Sequence, residues 1–412
     1  MEAFGFMLHL AQTFGPETVS WLKPTLLGQA DPLAALLPYW LGAWSIQLFS
    51  ALLPIDLAAR IPFMGLLAMT LATTWYGVYA LARTPAAQPV TFAFGGEARP
   101  ADYARAIADG GLLALLACLG LARLSHEATP ALAQLSFSTL LFFALANLPR
   151  KRIGAWVSSA IAIVGMALSG APALAMILGV GGAIVMALDA GKPSALRARS
   201  VDVAWVLLIC LATAALVSAL GLWRWRVAYS HIFEIKSMTR LLLWFTWPAW
   251  PLAIWTLWRW RFQLQHITAN PHLSLPLWFV GVAIGTTWLS GLSDRALLLS
   301  LPAMATLAAF ALPTLRRSVS AFVDWFTLVF FSVGALIIWV VWSSMQTGMP
   351  AQPAVNVARL APGFTHVFSG VAFAFALLAS LVWASLVKWR AGRHRAAIWK
   401  SMALPAGGAI LC

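Results

Sequence analysis

The hydrophobic pattern is a succession of long apolar runs separated by short polar gaps. About 20 apolar residues carry an α-helix across the hydrocarbon of a bilayer, with a range near 17 to 25. On that criterion crossings are predicted at 59–82, 110–124, 130–149, 153–169, 172–188, 201–222, 240–257, 274–291, 296–314, 320–343 and 365–387, and a last run starts near Ala397. The 110–124 run is the shortest of them. Residues 1–32 read differently: an amphipathic start is followed by the breakers Pro16, Pro24, Gly28 and Pro32. That pattern predicts short helices lying along a membrane surface. The run from Leu33 to Pro54 carries Pro38 and Gln47 and either spans or lies half-submerged. The predicted fold class is therefore all-α: a polytopic membrane protein of about 11 to 13 transmembrane helices. Residues 1–58 form an external first-loop segment, and 59–412 form the helical membrane domain.

Composition sharpens this. The chain is 61% hydrophobic and only 10% charged, with a mean hydropathy of +0.83. A water-soluble domain carries about 25% charged residues, so a soluble fold is excluded. The net charge of +14 would suit a nucleic-acid partner if it were clustered on one surface. Most of the 27 basic residues fall instead into every second gap: Arg83 to Arg105, Arg150 to Arg152, Lys192 to Arg199, Arg259 and Arg261, Arg316 and Arg317, and Lys388 to Lys400. Short loops rich in Lys and Arg stay on the cytoplasmic side, so the alternation points to membrane lipids and no nucleic acid. It holds at every loop if 33–54 does not cross. The first residues then lie outside, and 125–129, 169–172, 223–240, 291–296 and 343–364 are external loops. A chain that begins outside and stops within an apolar run is expected to be cut at both ends, with one span missing at its start.

Cys118, Cys210 and Cys412 have no metal or redox spacing. Gly179 to Gly182 lacks the context of a phosphate-binding loop and suits close helix packing. Ionisable groups near the membrane carry more information, and three external constellations stand out. Arg123-Leu-Ser-His126-Glu127-Ala-Thr129-Pro130 pairs a carboxylate with an imidazole, either as a general base or metal-ligand pair or as a polar turn capping the next helix. Trp223 to Arg226, His231, Glu234, Lys236 and Arg240 offer cations and aromatics to a lipid-linked phosphate, or simple interfacial anchoring. Ser290-Gly-Leu-Ser-Asp294-Arg295 reads by default as a self-neutralising pair. Asp324 suits a structural salt bridge near Arg316 and Arg317.

Together these residues resemble the integral-membrane GT-C glycosyltransferases, in the protein mannosyltransferase-like group that contains the lipid A aminoarabinose transferase. Trp21-Leu-Lys-Pro24, Gly28, Pro38-Tyr39-Trp40-Leu41 and Ala58-Ala59-Arg60-Ile61-Pro62 look like that group's first-loop signature. Trp244 to Pro248, Trp278, Ser290 to Arg295 and Leu301-Pro302 look like its later aromatic and Ser-rich region. The resemblance implies a bacterial inner-membrane enzyme with a periplasmic active face and surface helices in the first and fourth external loops. It would take a sugar from a polyprenyl-phosphate donor and give it to a lipid A-like or protein acceptor. It implies Glu2 and Glu127 as catalytic acids. Lys236, Arg240, Arg295, Tyr39 and His126 fall to substrate and phosphate binding. A divalent metal held by Glu2 or His126 is left open, and no nucleotide is implied. The chain departs from the pattern at Ala34, where the group has Lys, at Ala35-Leu36 in place of Pro-Pro, and at Asp294-Arg295 in place of a later Lys. The rival readings are a transporter or flippase for a polyprenyl-linked glycan and an inactive scaffold relative.

Overall fold

The computed structural model describes residues 2–12, 21–88, 99–188, 196–223, 234–361, 363, 365, 367–392 and 398–411. Arg224, Arg226, His231 and His366, together with part of the Lys192 to Arg199 cluster, lie outside the described residues. Nearly all of the regular structure is helical, and the one sheet among the described residues is a two-residue hairpin, Thr25–Leu26 against Gln29–Ala30. The all-α expectation is met. Six helices among the described residues are long and apolar enough to cross a membrane: Ile55–Ala82, Pro130–Asn147, Arg199–Ala219, Pro271–Leu289, Ser318–Thr347 and Gly370–Ala391. Arg152–Leu168, Pro172–Ala187 and Leu301–Thr314 are shorter apolar helices.

The chain divides into two compact units, Met1–Ala311 and Leu312–Cys412. In the first, Glu2–Gln12 packs on Leu37–Phe49, where Phe6 stacks on Tyr39 at 5.1 Å. Leu37–Phe49 has 13 residues, and at 1.5 Å per residue it spans about 20 Å, short of a hydrocarbon core of about 30 Å. The 33–54 run is thus not a full crossing helix. Polar side chains hold it down. Trp40 Nε1 donates to the Trp21 carbonyl at 2.8 Å, and Gln47 Nε2 donates to that of Ala11 at 3.3 Å. The Ser45 hydroxyl donates to the Ala58 carbonyl at 2.6 Å. That carbonyl would otherwise lack a donor, because Pro62, four residues on, has no N–H.

Two predicted crossings are broken, a correction to the reading of 110–124 and 240–257 as continuous spans. The first divides into Pro100–Leu116 and Leu119–Leu124, and the second into Ile235–Phe245 and Ala249–Arg259. The breaks satisfy each other: Leu119 N–H donates to the Trp247 carbonyl at 3.1 Å, and Gly120 leaves the room that the Phe245 ring fills. Irregular backbone at membrane depth survives only where protein supplies its hydrogen bonds, and here the second break supplies those of the first. Gly179 and Gly182 sit against Cys210 and Leu145, in keeping with close helix packing.

At one end of this unit, Arg152 Nε pairs with Asp202 at 2.6 Å and Arg150 donates to the Ala80 carbonyl. Both contacts lie near the ends of helices that border gaps of the basic set. In the second unit, Arg390 pairs with Asp324, a structural salt bridge of the kind expected there. Trp339 and Trp383 donate to Ser380 and Ser332 at 2.8 and 3.1 Å, tying Arg317–Thr347 to Gly370–Ala391.

Candidate functional site

The first-loop turn is built on Asp31. Its carboxylate is buried and accepts the backbone N–H groups of Leu33 at 3.1 Å and Ala35 at 2.7 Å. The Asp31 carbonyl takes the N–H of Ala34, which adopts a left-handed φ of 51°. Leu36 N–H then donates to the Leu168 carbonyl at 2.8 Å and pins the turn to the end of Arg152–Leu168. Gly170, at φ +85°, passes so close that a Cβ there would meet the Leu33 carbonyl oxygen at 2.8 Å. Gln134 Nε2 secures the same corner by donating to the Ser169 carbonyl at 2.8 Å.

The phenol of Tyr39 faces Asp31. Its pKa is pushed up by burial first, then by the charge and hydrogen bonding of Asp31, then by Glu2, with Arg295 acting in the opposite sense. Glu2, Asp31, Tyr39 and Arg295 thus share one electrostatic neighbourhood. Glu2 itself is exposed in the first turn of its helix.

Two turns, at 123–129 and 290–295, meet through crossed ion pairs. Arg295 Nη2 lies 3.5 Å from Glu127 Oε2, and Arg123 Nη1 lies 3.6 Å from Asp294 Oδ2. The Arg123 guanidinium also sits 5.6 Å over the Trp244 ring. This corrects two expectations. Asp294 and Arg295 do not neutralise each other, because neighbouring residues on a helix do not face one another. Nor is 126–129 a side-chain cap: Thr129 precedes Pro130 at the helix start without any cap hydrogen bond, and Glu127 turns to Arg295.

A cavity of about 360 Å³ opens beside these pairs. Pro32 and Leu33 line it from the first loop, Pro130, Ala131 and Gln134 from the second turn, Gly170 to Leu174 from the third, and Thr286 to Ala296 from the fourth. Most of this wall is apolar, and Arg295 is its cation. Four segments far apart in the sequence thus converge on one cavity. Asp31, which builds the turn at its edge, was missed; the signal available was an Asp directly before the Pro32 turn.

The remaining candidates sit elsewhere. Lys236 and Arg240 are exposed on Ile235–Phe245, and Arg240 with Ser237, Leu241, Trp244 and Leu292 lines a separate cleft of about 390 Å³. They do not line the Arg295 cavity. His126 is exposed and joins no ion pair among the described residues. Among the described residues no three His, Cys, Asp or Glu side chains are grouped to hold a metal ion. Of the acids near the cavity, Glu127 pairs with Arg295, Asp294 pairs with Arg123, and Asp31 accepts two backbone N–H groups.

No family model and no curated protein sequence matches the chain. Its fold does match solved structures. ArnT from Cupriavidus metallidurans in the apo state superposes with a TM-score of 0.60 at 15% identity, covering 99% of this chain and 70% of that one. The same protein bound to undecaprenyl phosphate superposes with a TM-score of 0.55, at the same identity and coverage. The resemblance read from the first-loop and later motifs therefore holds at the level of the fold.

Proposed function

We propose that the chain is a membrane transferase that moves a glycosyl group from a polyprenyl-phosphate donor to a lipid or protein acceptor on the periplasmic face of the inner membrane. One observation carries the reading: an apolar cavity of about 360 Å³ bears a guanidinium at its rim, and that guanidinium touches a carboxylate. An isoprenoid chain asks for apolar walls and its phosphate for a cation. The acceptor oxygen asks for a base within reach of the same point. The shared fold with a protein solved in complex with undecaprenyl phosphate supports the choice of carrier.

In this mechanism the acceptor oxygen attacks the anomeric carbon as Glu127 takes its proton. The oxygen–carbon bond forms while the bond from that carbon to the phosphate oxygen breaks. The electron pair leaves with the polyprenyl phosphate, and Arg295 balances the charge that gathers there. Attack opposite the leaving phosphate inverts the anomeric centre. Glu2 and Tyr39 border the same point and shape the acceptor side. Lys236 and Arg240 serve headgroup phosphates at the neighbouring cleft.

Replacing Arg295 tests the reading. Arg295→Ala is expected to weaken binding of undecaprenyl phosphate roughly tenfold or more, the scale of one lost charge-assisted contact of about 1.5–3 kcal/mol. Transfer from a polyprenyl-phosphate sugar should fall with it. Binding and transfer that survive the substitution intact would remove Arg295 and this cavity from the donor site.

A further inference from the structure

Arg295 has two claimants. Its Nη2 lies 3.5 Å from Glu127 Oε2, and the same side chain lines the cavity. The arginine is 55% exposed and the carboxylate 33%. A single long contact between groups this open to solvent is a weak pair. The donor phosphodiester presents two non-bridging oxygens that share its charge and take a guanidinium in two parallel hydrogen bonds, a geometry that this contact does not reach. In a direct contest for Arg295, the phosphate wins.

We propose that the Glu127–Arg295 pair is a latch that the donor phosphate opens. In the empty site Arg295 holds the carboxylate. When Arg295 turns to a phosphate in the cavity, Glu127 is released toward the acceptor. The base is thus delivered only when a donor is in place, which makes binding ordered: donor first, acceptor second. This rests on the transferase reading given above.

Arg123 keeps the change local. It sits four residues before Glu127, pairs with Asp294 next to Arg295, and stacks over Trp244. Parting Glu127 from Arg295 leaves the Arg123 contacts with Asp294 and Trp244 in place, so opening needs only rotation of the two side chains. Arg123 is a positioning residue in this scheme.

The test uses the full chain in lipid nanodiscs with undecaprenyl phosphate as the probe. Glu127→Gln removes the competitor for Arg295, so the Kd for undecaprenyl phosphate is expected to fall about two- to fivefold, while transfer is lost. Glu127→Asp keeps the charge but withdraws it by one methylene, and should move the Kd in the same direction by less. A misfolded variant loses binding, so tightening cannot arise from misfolding. An unchanged or raised Kd in both variants would overturn the latch and leave the transferase reading standing. A wild-type chain that does not bind the probe at all would take down both.

Discussion

The Tyr39 phenol is held in its protonated form by what surrounds it, with burial the largest cause and Asp31 the next. A phenol whose pKa is raised on folding stabilises the fold fully below its free value of about 10, and that contribution is lost as pH climbs through the folded value. Tyr39→Phe should therefore cost about 1 kcal/mol at neutral pH, the usual net worth of a buried hydrogen bond. The gap between wild type and variant in thermal unfolding should stay flat from about pH 6 to 9 and narrow above about 10. A gap already closing at pH 8 would mean that the phenol is not enclosed. Tyr39 was legible in the sequence because it stands within a recognisable motif. Asp31 was not, because its burial depends on Leu36 reaching the Leu168 carbonyl, a contact that no local pattern announces. Asp294 and Arg295 were legible as charges but not as partners. Adjacency in sequence suggested mutual neutralisation, whereas their helix sends them to Arg123 and Glu127 respectively.

Hydropathy located the elements well and their interruptions poorly. The runs at 59–82, 130–149, 153–169 and 172–188 became helices within a few residues of the expected bounds. The breaks at 117–118 and 246–248 fall inside runs that stay apolar throughout, so an average over residues passes across them. The available signals were Pro248, and Gly120 beside the first break. Each break is tolerable because the other faces it, which is long-range information. The corner at Gly170 is a second place where an element depends on backbone geometry. A left-handed φ costs a residue with a Cβ about 1–2 kcal/mol, and at this position the Cβ would also press on the Leu33 carbonyl oxygen. Gly170→Ala is expected to lower the thermal midpoint of the solubilised protein and to weaken undecaprenyl phosphate binding by displacing Leu33 at the cavity wall. A variant with wild-type midpoint and affinity would show that the corner relaxes without cost.

Across the whole molecule, the arrangement of loops makes a claim about sidedness. Charge alternation puts 125–129, 169–172 and 291–296 on one side, and residues within the last two and directly after the first line one cavity with the first-loop turn. Arg150 and Arg152 meet the chain at Ala80 and Asp202, near the ends of helices that border gaps of the basic set. In a Cys412→Ser background the buried Cys118 and Cys210 should stay silent to a membrane-impermeant thiol reagent. Asp56→Cys and His126→Cys, both at exposed positions, should then be labelled from outside intact cells. Arg83→Cys and Lys151→Cys, also exposed, should be labelled only after permeabilisation. Labelling of Asp56→Cys from the inside would mean that 33–54 crosses, and the periplasmic reading would fall with it.

Two apolar helices begin at that cavity. Pro130–Asn147 and Pro172–Ala187 each start with Pro in the first turn, and the first residues of both line the wall. The opening N–H groups of a helix have no partner within it, and its aligned peptide dipoles leave about half a positive charge at that end. Each such end favours an anion by about 0.3–1 kcal/mol. The cavity's preference for negative charge is therefore written partly into the backbone, as a field that no side-chain replacement erases. Arg295 concentrates that preference at one point, but the direction of the field is set by where two helices happen to start.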